Sequence, residues 1–200
     1  MKRVAILISG SGSNMIKLCE SMVGKHPARP VIVISSFSGS EGLTYATNIG
    51  LKAVVVEFGL FPKDNFGFEA AITEELTLAS PDIICLAGFM HILSRSFLKK
   101  FANKIINIHP SLLPKYKGLN THKRAISAGD FEAGCTVHKV TEELDGGPIL
   151  GQGKVLIDKN ETPESLAAKV LKLEHTLYPL VLKKFAAAAI DQTEIILSNS

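Results

Sequence analysis

Short runs of apolar, β-favouring residues alternate along the first half of the chain with segments whose apolar residues recur at helical spacing. Residues 4–8, 31–35, 54–56, 83–87 and 105–108 are near-continuous apolar runs, the pattern of strands buried on both faces. Between them, Met15, Ile16, Leu18, Cys19, Met22 and Val23 follow i, i+3, i+4, i+7 spacing, and Ile72, Leu76 and Ala79 mark another helix ahead of Pro81. Repeated strand–helix units predict an α/β fold, a mostly parallel sheet with helices on both faces.

After about residue 110 the rhythm changes to a Pro/Gly-rich loop, a short helix near 122–127, and strands at 135–140 and 148–157. This half reads as an α+β extension of the same sheet. Thr162-Pro163-Glu164 combines an N-cap, a proline at the first helical position and an early acid. It launches a long helix with Leu166, Val170, Leu173 and Leu177 on one stripe, and Pro179 is expected to kink or end it. With no internal repeat and no linker, the 200 residues are expected to form one domain, close to the roughly 150 residues of a typical unit.

Composition narrows the partners. The chain is 46% hydrophobic and 20% charged, which supports a packed core and excludes a disordered or collagenous chain. The 22 basic and 19 acidic residues leave a net charge of +3 with no basic block, so neither nucleic acid nor an anionic membrane is expected as a partner. The five apolar residues after Met1-Lys2-Arg3 fall short of the ~7–15 of a signal core. The run at 83–90 is broken by Gly88 and is far from the ~18 residues of a membrane span. Cys19, Cys85 and Cys135 form an odd set without a CxxC motif, which fits reduced thiols. A soluble, cytoplasmic protein is expected.

Ligands of open α/β sheets bind beyond the carboxyl ends of the strands, and three such ends carry candidate chemistry. The first strand runs into Ser9-Gly10-Ser11-Gly12-Ser13-Asn14 and a helix, which aims backbone N–H groups and the positive helix end at one point. This is an anion seat or a serine-capped glycine turn. Met15 stands where a dinucleotide fingerprint needs its third glycine, and no G-x4-G-K-[ST] is present. The fifth strand ends in Asn107-Ile108-His109-Pro110, and two-residue spacing puts Asn107 and His109 on one face. The pair is either reactive or a turn cap beside a backbone-bonded histidine. The third place is Leu144-Asp145-Gly146-Gly147-Pro148, where Asp145 is a candidate carboxylate or part of a solvated turn. Cys135 alone among the cysteines has a nearby histidine, but His138, three residues along a strand, falls on the opposite face. No metal-ligand cluster and no G-x-S-x-G motif is present. An amide for an oxyanion, an imidazole for a proton and a carboxylate to keep the imidazole charged suit acyl transfer to an amine.

Asn107-Ile108-His109-Pro110-Ser111-Leu112-Leu113-Pro114, with Leu144-Asp145-Gly146-Gly147-Pro148, resembles the signature of the phosphoribosylglycinamide formyltransferases of purine biosynthesis. Residues 8–14, Leu86-Ala87-Gly88-Phe89-Met90, Gly134-Cys135-Thr136-Val137-His138 and Glu174-His175 match further family motifs in order. The resemblance implies a Rossmann-like formyltransferase fold. It also implies transfer of the formyl group of 10-formyltetrahydrofolate to the glycine amine of 5'-phosphoribosylglycinamide, without a metal. Carried over by motif, Gly12, Ser13 and Asn14 hold the substrate phosphate and Glu174 reaches the same substrate. Met90, His91, Ile92 and Leu93 line the folate pocket, Asn107 touches the formyl oxygen, and Asn107, His109 and Asp145 are catalytic. His91, Asn65 and Lys139 depart from the family pattern, where basic or aromatic residues are common. The same trio occurs in formyltetrahydrofolate hydrolases and methionyl-tRNA formyltransferases, whose extra domains are not expected in 200 residues. A phosphate-binding module without turnover is the reading from another class.

Overall fold

Strand β1 (Lys2–Ile8) is where the architecture is anchored, because residues 4–8 are all fully buried. Successive strand side chains point to opposite faces, so both faces of this strand are covered. The computed structural model describes residues 1–61, 64–189 and the backbone of 193–196, and the chain divides into two compact units, Met1–Ile106 and Asn107–Ser200.

In the first unit, β1 leads to α1 (Ser13–Ser21), β2 (Ala28–Ser35), α2 (Glu41–Asn48) and β3 (Ala53–Val55). A single 3-10 turn then precedes α3 (Asn65–Ala79), β4 (Ile83–Leu86), α4 (Arg95–Lys100) and the first residues of β5 (Ile105–His109). The strands run β3-β2-β1-β4 in parallel, with Ile6 opposite Val33 on one side and Cys85 on the other. The Ile84 N–H donates to the Lys104 carbonyl at 2.8 Å, where β5 joins β4. All five apolar runs of the first half are therefore strands, and both expected helices form. Helix α1 closes at Ser21 rather than Val23, which is exposed. The sequence pattern missed α2 and α4, whose buried positions are only Gly42 with Ala46, and Phe97.

The second unit starts within β5 and continues through α5 (Thr121–Ser127), β6 (Glu132–Lys139), β7 (Ile149–Leu156), α6 (Pro163–Ala186) and β8 (Thr193–Ile196). Strands β6 and β7 are antiparallel, and the register slips by one between Val137, opposite Gly151, and His138, opposite Ile149. Strand β8 adds in parallel to β7. The sheet is thus mostly parallel, as the periodicity predicts. Helix α6 packs on β6 and β7 through Leu166, Val170, Leu173 and Leu177, all fully buried. Thr162 caps it in a reciprocal pair with Ser165, and Pro163 opens it.

Of the kink or end expected at Pro179, the end does not occur, and α6 runs on to Ala186. A proline inside a helix removes one backbone hydrogen bond and costs about 3 kcal/mol. Val181 and Leu182 beyond it are buried, each worth roughly 1.5–3 kcal/mol, so continuing the helix wins. Among the described residues, no helix is long and apolar enough to cross a membrane.

Candidate active site

The loop from β1 into α1 is made of small residues because its backbone has close neighbours. Gly12 is left-handed at φ +74, and a Cβ there would lie 2.8 Å from the Gly42 Cα at the start of α2. As the N-cap it contributes no side-chain bond, and no acidic residue occupies the first turn of α1. The N–H groups of a helix's first turn have no partner within the helix, and the dipole adds partial positive charge there. Gly12, Ser13 and the buried Asn14 therefore lie at a helix start suited to an anion such as a phosphate.

The segment 88–93 follows β4 in the same unit. Met90 and Ile92 are exposed and Leu93 is buried. The His91 ring stacks on Phe58 at 4.1 Å and meets Phe68 and Phe89 edge-on at 5.0 and 5.2 Å. Burial in this aromatic nest lowers the His91 pKa from its ordinary value, favouring a neutral ring. The Met90 N–H is taken by the Ser9 hydroxyl at 3.0 Å. Asn65, the other departure in this unit, is the first residue of α3, next to its cap Asp64.

The second unit brings its three candidate residues together. Asn107 and His109 lie two apart on β5, as strand alternation predicts. Asp145 is held in a left-handed turn at φ +47, in a loop where a Cβ on Gly147 would collide with the Lys139 carbonyl. The Asp145 carboxylate faces His109 Nδ1 at 3.4 Å, with both side chains buried, and accepts the Gly118 N–H at 2.9 Å. His109 Nε2 donates to the Tyr116 carbonyl at 2.9 Å. Each ring nitrogen of His109 thus faces an acceptor. The backbone bond expected of a merely structural histidine is present, but so is the carboxylate.

His138 also belongs to this cluster, although sequence reasoning gave it no role. Its Nδ1 donates to the Lys139 carbonyl at 2.9 Å, which leaves Nε2 to accept from the Asn107 amide at 3.3 Å. The same Nε2 lies 3.7 Å from the Asp145 carboxylate. Burial is the largest influence on His138 and lowers its pKa, outweighing the Lys139 carbonyl and Asp145. A neutral ring with a lone pair on Nε2 fixes which end of the Asn107 amide faces it. The available signal was the position of His138 at the end of β6, in a motif already singled out.

Cys135 is fully buried on β6, and burial, followed by the nearby Glu174 carboxylate, pushes its thiol well above the ordinary value. A thiol so protonated is a core residue, not a nucleophile. Glu174 is itself buried on α6, and Lys139 extends its ammonium over the Phe185 ring at 5.8 Å. Among the described residues, no group of three or more His, Cys, Asp or Glu side chains is placed to hold a metal ion.

The sequence profile of the formyl transferase family matches residues 2–182. The chain belongs to the formyl transferase family. This formyltransferase is 45% identical over 192 residues to the phosphoribosylglycinamide formyltransferase of Haemophilus influenzae, spanning 92% of this chain and 87% of that protein. The crystal structure of phosphoribosylglycinamide formyltransferase from Brucella melitensis superimposes with a TM-score of 0.88 at 48% identity, covering 93% of this chain and 96% of that one. The trifunctional purine biosynthetic protein adenosine-3 of Bos taurus is 43% identical over 94% of the formyltransferase, which spans only 19% of that longer protein.

Proposed function

We propose that this formyltransferase moves the formyl group of 10-formyltetrahydrofolate onto the glycine amine of 5'-phosphoribosylglycinamide, giving formylglycinamide ribonucleotide and tetrahydrofolate. The observation that carries the reading is the buried contact of His109 with Asp145 at 3.4 Å, beside Asn107 on the same strand. The names of the relatives support the choice of substrates. In this reading the whole chain acts as one cytoplasmic formyltransferase domain whose partners are the two small molecules.

Attack of the amine on the formyl carbon forms a C–N bond and leaves negative charge on the formyl oxygen and positive charge on the amine nitrogen. Asn107 donates its amide N–H to that oxygen, the second N–H being engaged by His138. His109, as imidazolium, adds positive charge and supplies the proton that the folate nitrogen takes up when its bond to carbon breaks. Asp145 faces His109 Nδ1, orienting the ring, and, through water, accepts the proton lost by the amine. Gly12, Ser13 and Asn14 hold the substrate phosphate, and that remote binding orients the amine for attack. Glu174 contributes to the same substrate.

For the folate, the exposed Met90 and Ile92 side chains and the backbone of 91–93 supply a surface. The Met90 N–H is already committed to Ser9. The neutral His91 ring brings no fixed charge to a folate's carboxylates. No step requires a metal.

Replacing Asn107, His109 or Asp145 singly by alanine tests these roles. Each variant is expected to lose about 10²–10⁴-fold in kcat while its unfolding temperature stays near that of the wild type. Wild-type rates in all three would overturn the mechanism, and loss of folding in all three would make the cluster structural.

A further inference from the structure

Ser9, the residue after β1, ties together three segments of the first unit. Its N–H donates to the Gly88 carbonyl at 3.1 Å, and its hydroxyl oxygen accepts the Met90 N–H at 3.0 Å. The same oxygen accepts the hydroxyl of Ser36 at 2.7 Å. Ser36 is buried, and its own N–H donates to the Ile8 carbonyl at 3.0 Å. One residue beyond Ser9, the Gly10 carbonyl accepts the hydroxyl of Ser40, the N-cap of α2. Thus the turn at 36–42 and the segment at 88–93 meet at the Ser9 side-chain oxygen, and the loop at 10–14 follows Ser9 directly in the chain. The far end of 88–93 is fastened separately, because both carboxylate oxygens of buried Glu69 accept from Ser94, one from its N–H at 2.6 Å and one from its hydroxyl.

Gly10 and Gly88 each have open space where a side chain would be, so at these two positions no side-chain packing holds the backbone beside Ser9. The hydrogen bonds of Ser9 do it instead. We propose that Ser9 is a positioning residue that couples the two loops, so that phosphoribosylglycinamide held at Gly12, Ser13 and Asn14 and a folate held at residues 90–93 strengthen each other's binding. The inference rests on the roles given to these loops above. An anion seated on 10–14 fixes Ser9, Ser9 fixes Met90, and linkage makes the effect reciprocal. The coupling runs through a shared group bonded to both loops, not through mere proximity.

Titration calorimetry with tetrahydrofolate, with and without saturating phosphoribosylglycinamide, tests this on the full chain, because that pair carries no formyl group and does not turn over. The ribonucleotide is expected to tighten tetrahydrofolate binding to the wild type about fivefold or more, the lower range of measured couplings. Ser9→Ala is expected to bring the factor to within about twofold of one, and Ser9→Thr, which keeps the hydroxyl, to restore it. If the alanine protein does not fold, Ser36→Ala, which withdraws the hydroxyl bonded to Ser9, carries the same expectation of reduced coupling. Wild-type coupling in the Ser9→Ala protein, or in Ser36→Ala where that stands in for it, overturns the proposal. Formyl transfer by the wild type with no coupling also overturns it and leaves the proposed reaction standing. Failure to bind phosphoribosylglycinamide at all overturns the reaction and this inference together.

Discussion

At the start of α1 in the first unit the groups offered to a ligand belong to the backbone, and in the cluster of the second unit they belong to side chains. The helix start at Gly12 needs small residues and a left-handed turn. The cluster of Asn107, His109, His138 and Asp145 needs particular functional groups brought from the ends of β5 and β6 and from the loop that follows. The first kind of site is fragile toward added bulk and indifferent to most side-chain chemistry. The second tolerates little change of chemistry, and each member depends on the others for its orientation. Binding is therefore expected to fail first in one unit and turnover in the other.

The largest expected effect that would break this contrast comes from Gly12→Ala. The new Cβ meets Gly42 at 2.8 Å in a backbone conformation that disfavours it, so the helix start must move. The KM for phosphoribosylglycinamide is expected to rise about tenfold or more, with kcat changed much less. Steady-state kinetics check this, and an equal fall in kcat with no change in KM would put the loop in the chemistry.

A smaller effect is expected from His138→Phe, which removes the acceptor that orients the Asn107 amide. Loosening the Asn107 donor without removing it is expected to cost roughly 1.4 kcal/mol, so kcat should fall about tenfold with the KM for the ribonucleotide preserved. His138→Gln, which retains an acceptor, should recover part of the loss. Unchanged kcat in His138→Phe would mean that Asn107 needs no such support.

The smallest effect concerns acid stability. The folded-state pKa of His91 lies below its ordinary value because of burial. Below about pH 6.5 the unfolded chain therefore takes up a proton that the folded chain refuses, and stability falls with pH until the folded-state pKa is passed. His122 and His138 are shifted in the same direction. His91→Phe should remove its share of this slope, sparing on the order of 1–2 °C of the fall in unfolding temperature between neutral and mildly acidic pH. An identical slope in the variant would show that His91 is not a source of the acid sensitivity.

Much of this division is legible in the sequence. Full burial on both faces gave β1, β2 and β4 apolar runs that no helix period fits, and the glycines and serines after β1 pointed to a helix start suited to an anion. Strand alternation alone put Asn107 beside His109. The short helices α2 and α4 bury too few residues to leave a stripe, and Pro179 was outweighed by the burial of Val181 and Leu182. The meeting of Asp145 with His109 depends on a long-range return of the chain, which local spacing does not encode. Local spacing relates His138 only to Cys135 on its own strand, whereas its role arises from the neighbouring strand that carries Asn107.

The most direct test of the account follows the fate of an isotopically labelled formyl group. Wild-type protein would be given labelled 10-formyltetrahydrofolate with and without phosphoribosylglycinamide, and the products read by NMR. The account predicts label in formylglycinamide ribonucleotide, dependent on the amine substrate, and no label released as formate. Release of labelled formate without the amine would identify a hydrolase, and no consumption despite bound ligands would identify a silent binding module; either result would contradict the assignment.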